Sequence, residues 1–187
     1  MTKQSGGTRR YDSSSVAYRN RRDTYDSLLA TGDYKESYFD ESGGYYLIHR
    51  EHNEIRHIGE LGEGNENDNR EDFAAQVLAQ RGYKAYLMGE SSYLDGVKKS
   101  DGFVNHAMID FKTINSAGKR TIDKALAKAS EQGVNVAILI QNTPKADKDY
   151  VLSQLKIYTD NTPVEKRGNL THVWVIGLSG RIHRHKL

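Results

Sequence analysis

The sequence predicts an α/β fold, a mixed central β-sheet flanked by helices in the order α-β-β-β-α-β-α-β. Three observations carry that expectation. Apolar stripes at helical spacing alternate with short β-rich runs from about residue 68 onward. Two of the helical stretches stop at a glycine, Gly82 and Gly133, as a C-terminal cap does. Val134–Ile140, VNVAILI, is apolar on both faces, as a strand covered on two sides is.

Taken in order, residues 1–44 are rich in Ser, Gly, Asp, Arg and Tyr and show no sustained periodicity beyond a short helix around Tyr25–Ala30. They are expected to form a polar N-terminal extension, partly disordered. Seven of the twelve tyrosines fall in the first 46 residues, beside Arg9-Arg10 and Arg21-Arg22, a mixture that suits a solvated tail or base stacking with phosphate contacts. Residues 45–187 are expected to form a single domain with its core at about 68–178. Tyr45–Arg50 reads as a short strand introduced by Gly43-Gly44, and Gly59–Asp68 as a loop. Asn69–Arg81 is a helix with Phe73, Ala74, Val77 and Leu78 on one stripe. Tyr83–Met88 is a strand, and Gly102–Val104 and Ala107–Thr113 form a hairpin about Asn105-His106. Thr121–Gln132 is a helix with Ile122, Ala125, Leu126 and Ala129 inward. Val134–Ile140, a helix at Asp147–Tyr158 and a strand at His172–Leu178 complete the order.

Composition narrows the chemistry. Hydrophobic residues are 36% and charged residues 28%, and no run approaches the roughly 18 apolar residues of a bilayer span, so no membrane association is expected. The polar start, MTKQSGGTRR, carries no secretory signal, which points to action in a cytoplasm or to a domain delivered from a larger protein. Cysteine is absent, which removes disulfides, thiolate nucleophiles and cysteine-ligated zinc. The net charge is only +2, so a nucleic-acid partner requires that charge be concentrated on one face. No Gly-rich phosphate loop and no Ser/His/Asp order supports an NTPase or an acyl-transfer enzyme.

The hairpin is the informative segment. With Asn105 and His106 as its loop, Asp101 falls opposite Asp110, and cross-strand Cβ atoms lie about 4.5–5.5 Å apart. Alternation puts Lys112 on the side of Asp110 and sends Ile109 and Phe111 into the core. Two acids and a lysine thus converge. Opposed carboxylates repel, and a hard divalent cation such as Mg²⁺ would turn that repulsion into binding. Folding is then expected to couple to the ion, and without metal Asp110→Asn should melt no lower than wild type. Asp33-Tyr34-Lys35 repeats the D-x-K tripeptide, but it has no hydrophobic strand and no acid across a hairpin. The competing reading is a surface salt bridge at a sheet edge.

This arrangement resembles the PD-(D/E)xK phosphodiesterase superfamily, with a restriction-endonuclease-like core in which Ser100-Asp101 stands for the nominal Pro-Asp and Asp110-Phe111-Lys112 for the (Asp/Glu)-x-Lys. The resemblance covers roughly Asp68 to Leu178. It implies Glu71 as the matching helical acid; Glu71 shares a face with Ala74, Ala75 and Leu78, although an acid also suits a helix N-terminus. The stretches AAQVLAQRGYKAYLM, KSDGFVNHAMIDFK and Ala129-Ser130-Glu131-Gln132 are most similar to the C-terminal nuclease domains of contact-dependent growth inhibition toxins, many of which cut transfer RNA. That similarity implies Gln132 as an accessory site residue, Lys124 and Lys128 as phosphate contacts or a solvated helix face, an RNA substrate in preference to DNA, and a cognate immunity protein. Asp101 and Asp110 are expected to hold Mg²⁺ or Mn²⁺, with the Phe111 carbonyl and Glu71 completing the shell and Lys112 positioning water. A DNA endonuclease of a phage or mobile element, or an inactive nucleic-acid-binding module, is the alternative. His49, His52 and His57 suggest a zinc site only weakly. The basic run from Arg181 through Arg184 to Lys186 either grips a nucleic-acid backbone or frays in solvent.

Overall fold

The computed structural model describes residues 10–52, 55–89 and 100–187. Among these residues are α1 (Val16–Leu29), β1 (Tyr34–Phe39), β2 (Tyr45–His49), α2 (Glu71–Gln80), β3 (Lys84–Leu87), β4 (Gly102–Val104), β5 (Ala107–Ile114), α3 (Thr121–Glu131), β6 (Val136–Gln141), α4 (Lys148–Asn161), β7 (His172–Ile176) and β8 (Ile182–Lys186). The fold is mixed α/β, and from α2 to β7 the order is the expected one. The chain divides into two compact units. Among the described residues, an N-terminal unit comprises 10–52, 72–89 and 100–107, and a C-terminal unit comprises 55–71 and 108–187.

In the N-terminal unit β1 and β2 are antiparallel, β2 and β3 parallel, and β3 and β4 antiparallel. Residues expected to form a partly disordered extension supply α1 and β1 instead. Their structure follows from aromatic packing and a cap. The Ser15 side chain accepts from the Tyr18 backbone N–H, satisfying an orphan donor of the first turn. Tyr25 then packs edge-on to Phe39 and Tyr45, at centroid distances of 5.2 and 5.5 Å. The Arg21 guanidinium donates to the Gly43 and Gly82 carbonyls at 2.8 and 3.0 Å and to the Tyr11 hydroxyl at 3.0 Å. The tail's cations are therefore partly structural. Tyr45 and Tyr86 share a hydroxyl–hydroxyl hydrogen bond, and burial, followed by that bond, pushes the Tyr45 phenol well above its ordinary range.

In the C-terminal unit β5, β6 and β7 are parallel and β8 returns antiparallel to β7. Ile122, Leu126 and Ala129 of α3 and Val151, Leu155 and Tyr158 of α4 are buried in one cluster with Leu139, Val173 and Val175 of the sheet. Asp147 caps α4 by accepting from the Tyr150 N–H at 2.8 Å. Asn135 aligns the strand starts: its side-chain oxygen accepts from the Met108 N–H, its own N–H reaches the Met108 carbonyl, and its carbonyl accepts from Thr171 N. The basic C-terminal run, open between gripping and fraying on the sequence, is a paired strand, β8.

Candidate active site

Alternation along β5 works as the sequence predicts. Ile109 and Phe111 are buried, and Asp110 and Lys112 project from the opposite side of the strand. The register Asp110↔Ala137 and Lys112↔Leu139 puts that side in line with the face covered by α3 and α4. Ala137 is small, which leaves room beside Asp110. Gln132 follows the last turn of α3, and Gly133, at φ +75°, turns the chain back towards the start of β6.

The result is a three-residue cluster. Asp110 has no solvent exposure, and Lys112 Nζ donates to its Oδ1 at 2.6 Å. With its amide turned so that nitrogen faces the carboxylate, Gln132 lies 2.8 Å from both Asp110 oxygens. A buried carboxylate of this kind is stable only when paired and hydrogen-bonded. The surface-edge salt bridge weighed on the sequence is thus corrected in one respect: the pair exists, but its carboxylate is buried and its lysine half-buried. The expectation that Asp110→Asn would melt no lower than wild type without metal rested on the repulsion of opposed carboxylates, and the 2.6 Å pairing of Lys112 with Asp110 weighs against it.

A second buried network stands in the same unit and was not read from the sequence. Asp68 accepts from Arg70 Nε at 2.6 Å, from Asn142 Nδ2 at 2.9 Å and from the Ile58 N–H at 3.0 Å. Asn115 Nδ2 donates to the Asp68 carbonyl, and Asn142 Nδ2 donates to Asn115 Oδ1 at 2.7 Å. Asn115 and Asn142 directly follow the ends of β5 and β6, so the network fixes the loop before α2 to those strand ends. Arg70 N donates to Thr113 Oγ1 at 3.1 Å, which anchors the chain entering α2 against β5. A groove of about 490 Å³ beside these strand ends is lined by Gly62, Gly64, Asn115, Ser116, Thr143 and Lys145, among others.

Glu71 is buried at the start of α2, where its carboxylate accepts from Asn69 Nδ2 at 2.9 Å and its N–H donates to Asn69 Oδ1. Asp101 belongs to the N-terminal unit, half-buried, with its carbonyl accepting from Met88 N at 2.9 Å. Lys124 and Lys128 are exposed on α3. Arg181 is exposed in the turn before β8, whereas Arg184 lies over the Trp174 ring, 5.7 Å from its centroid. His52 is buried, its Nδ1 2.8 Å from the Met88 carbonyl, and His49 Nδ1 accepts from the Glu51 N–H, so both imidazoles have structural partners. Among the described residues no group of three or more His, Cys, Asp or Glu side chains is arranged to hold a metal ion.

No family model and no curated protein matches the chain. Among solved structures it is similar to the CdiA-CT/CdiI toxin and immunity complex from Burkholderia pseudomallei, at 21% identity over 63% of this chain and 83% of that one, with a TM-score of 0.48. A likeness at that score carries no argument about the chemistry of the site.

Proposed function

We propose that the chain is a metal-dependent endonuclease of the PD-(D/E)xK type, acting on RNA in the manner of a toxin nuclease domain. The observation that carries this reading is the cluster of the buried Asp110 with the half-buried Lys112 and Gln132. It places an acid and a lysine two residues apart on one face of a strand, the pattern that the sequence resemblance requires.

The donor chemistry fits a hard divalent cation. Asp110, Glu71 and the Phe111 carbonyl offer oxygen only. Mg²⁺ is commonly held by one or two carboxylates, with water and substrate phosphate completing its octahedron, so three converging acids are not required. When bound, Mg²⁺ or Mn²⁺ would supply Lewis-acid stabilisation of the charge developing on the phosphate. The protein's own part is then assigned residue by residue. Lys112, which now neutralises Asp110, would turn towards the phosphate, orient the attacking water and balance negative charge. Gln132 would hold the plane of the Asp110 carboxylate while the lysine moves. Lys124, Lys128 and Arg181 are exposed cations suited to backbone phosphates elsewhere on the substrate.

Purified full-length protein is expected to cleave RNA in Mg²⁺ or Mn²⁺, to stop in EDTA, and to fall to background as Asp110→Asn. Equal cleavage with and without EDTA would eliminate the mechanism. The preference for RNA, and for transfer RNA in particular, comes from the sequence resemblance, which also implies an immunity partner. Expression of the whole chain without such a partner is expected to arrest bacterial growth and leave discrete RNA fragments, with Lys112→Ala abolishing both. Intact RNA beside fragmented chromosomal DNA in the arrested cells would assign the chain to DNA.

A further inference from the structure

The charge of the chain is unevenly placed. Residues 166–187 contain five Lys or Arg and no Asp or Glu, so the preceding 165 residues hold 22 cations against 25 acids. Arg167 is spent internally, donating to the Thr162 and Thr159 carbonyls. Arg181, Arg184 and Lys186 form no ion pair among the described residues. They cluster on and beside β8, a strand whose registered partner is β7.

Register then sorts their side chains. Trp174↔Arg184, His172↔Lys186 and Ile176↔Ile182 are opposed pairs, and alternation puts all six on one face of the β7–β8 ribbon. Trp174 and Arg184 continue the row Phe111–Ile138, so this face is the one away from Asp110 and Lys112. Trp174, Arg184 and His172 are half-buried and Lys186 is exposed. The guanidinium sits 5.7 Å from the Trp174 centroid, within cation–π range. Arg184 Nε is shielded from solvent and has no hydrogen-bond partner among the described residues. A buried unsatisfied donor calls for an explanation, and an acceptor from a bound molecule is one. An indole beside a guanidinium, with a lysine and an imidazole nearby and no Asp or Glu in residues 166–187, is suited to stacking a base and pairing the adjoining phosphates.

We propose that the Trp174–Arg184 face of β7 and β8 binds an unpaired stretch of nucleic acid, stacking a base while Lys186 and Arg181 contact its phosphates. This deepens the nuclease reading by naming an unpaired segment as part of the substrate. The site lies two strands from Phe111, about 10 Å across the sheet, and on the other face from Asp110. It therefore engages a different part of the polymer from the one being cut.

Trp174 is the chain's one tryptophan, which makes the test direct. Full-length protein in EDTA is titrated with a 12-nucleotide RNA, its DNA counterpart and the corresponding duplex, following tryptophan emission and the anisotropy of an end-labelled strand. The single strands are expected to quench the emission saturably, with affinity falling as salt rises, and the duplex to quench little. Trp174→Leu should weaken single-strand binding about 5- to 100-fold, and Trp174→Tyr should restore most of it. Lys186→Gln, an exposed substitution that the fold tolerates, should lower the salt slope by about 0.7. Binding without quenching, equal quenching by duplex, or no binding of any strand would each overturn the proposal. Because no cleavage is measured, these outcomes are independent of the EDTA test of nuclease activity.

Discussion

In metal-free buffer, Lys112→Ala is expected to lower the stability of the protein by about 3–5 kcal/mol, the usual cost of orphaning one member of a buried ion pair. Asp110 has no solvent exposure, and the Lys112 ammonium lies 2.6 Å from its carboxylate. Removing the ammonium leaves the Asp110 carboxylate without this counter-charge and with the Gln132 amide still beside it. Asp110→Asn should also destabilise, by about 1–3 kcal/mol, because it turns one acceptor into a donor facing the Lys112 or Gln132 donors. This reverses the expectation drawn from opposed carboxylates alone. Asp110→Asn combined with Lys112→Met removes both charges at similar volume and should recover most of the Lys112→Ala loss. Denaturant unfolding in EDTA measures all of these, and a Lys112→Ala midpoint equal to wild type would show that the ammonium does not compensate Asp110.

The elements legible in the sequence were those whose apolar period is undisturbed. α3, β6 and α4 appear within a few residues of their expected bounds, because Ile122, Leu126 and Ala129, then VAILI, then Val151 and Leu155 bury one face or both. Asp110 and Lys112 were legible for the same reason: they interrupt a hydrophobic strand at a period of two. The N-terminal helix was seen only in its last turn. Its inward face is made of Tyr18, Arg21 and Tyr25, and an arginine that is structural reads as polar surface until Gly43 and Gly82 are known to present carbonyls to it. The Ser15 cap after Asp12-Ser13-Ser14 was the signal that could have found it. β8 was obscured because edge strands carry charge that a core strand would not tolerate. The Asp68 network was illegible for a different reason. Its members, Asp68, Arg70, Asn115 and Asn142, come from three separate stretches, and only the parallel pairing of β5 and β6 brings Asn115 and Asn142 together.

Gly44→Ala is expected to be among the most damaging single substitutions in the chain. A Cβ at that position would lie 1.9 Å from the Ala79 carbonyl oxygen and 2.8 Å from Gly82 Cα. Both are backbone atoms, so no side chain can swing aside to relieve the contact. Nor can the loop shift cheaply. The Gly44 carbonyl accepts from Asp40 N at 2.8 Å, Ser42 Oγ donates to the same Ala79 carbonyl at 3.2 Å, and Tyr45 N donates to the Tyr83 carbonyl at 2.9 Å. The end of α2 is thus seated on the Gly43-Gly44 turn, and Arg21 ties that seat from outside through Gly43 and Gly82. Overpacking usually costs about 1–3 kcal/mol, and a rigid clash that also breaks these bonds belongs to the rarer class above about 4–5 kcal/mol. Against a typical total of about 5–15 kcal/mol, that is between about a third and nearly all of the stability of the fold. Gly133→Ala is the matched control. Gly133 has φ +75° and nothing within 4 Å of the added carbon, so it should cost only the left-handed backbone penalty of about 1–2 kcal/mol. Thermal melts of the two variants followed by circular dichroism decide the matter: if they unfold together, the turn at Gly44 is not closely packed against α2, and the seat described here is wrong.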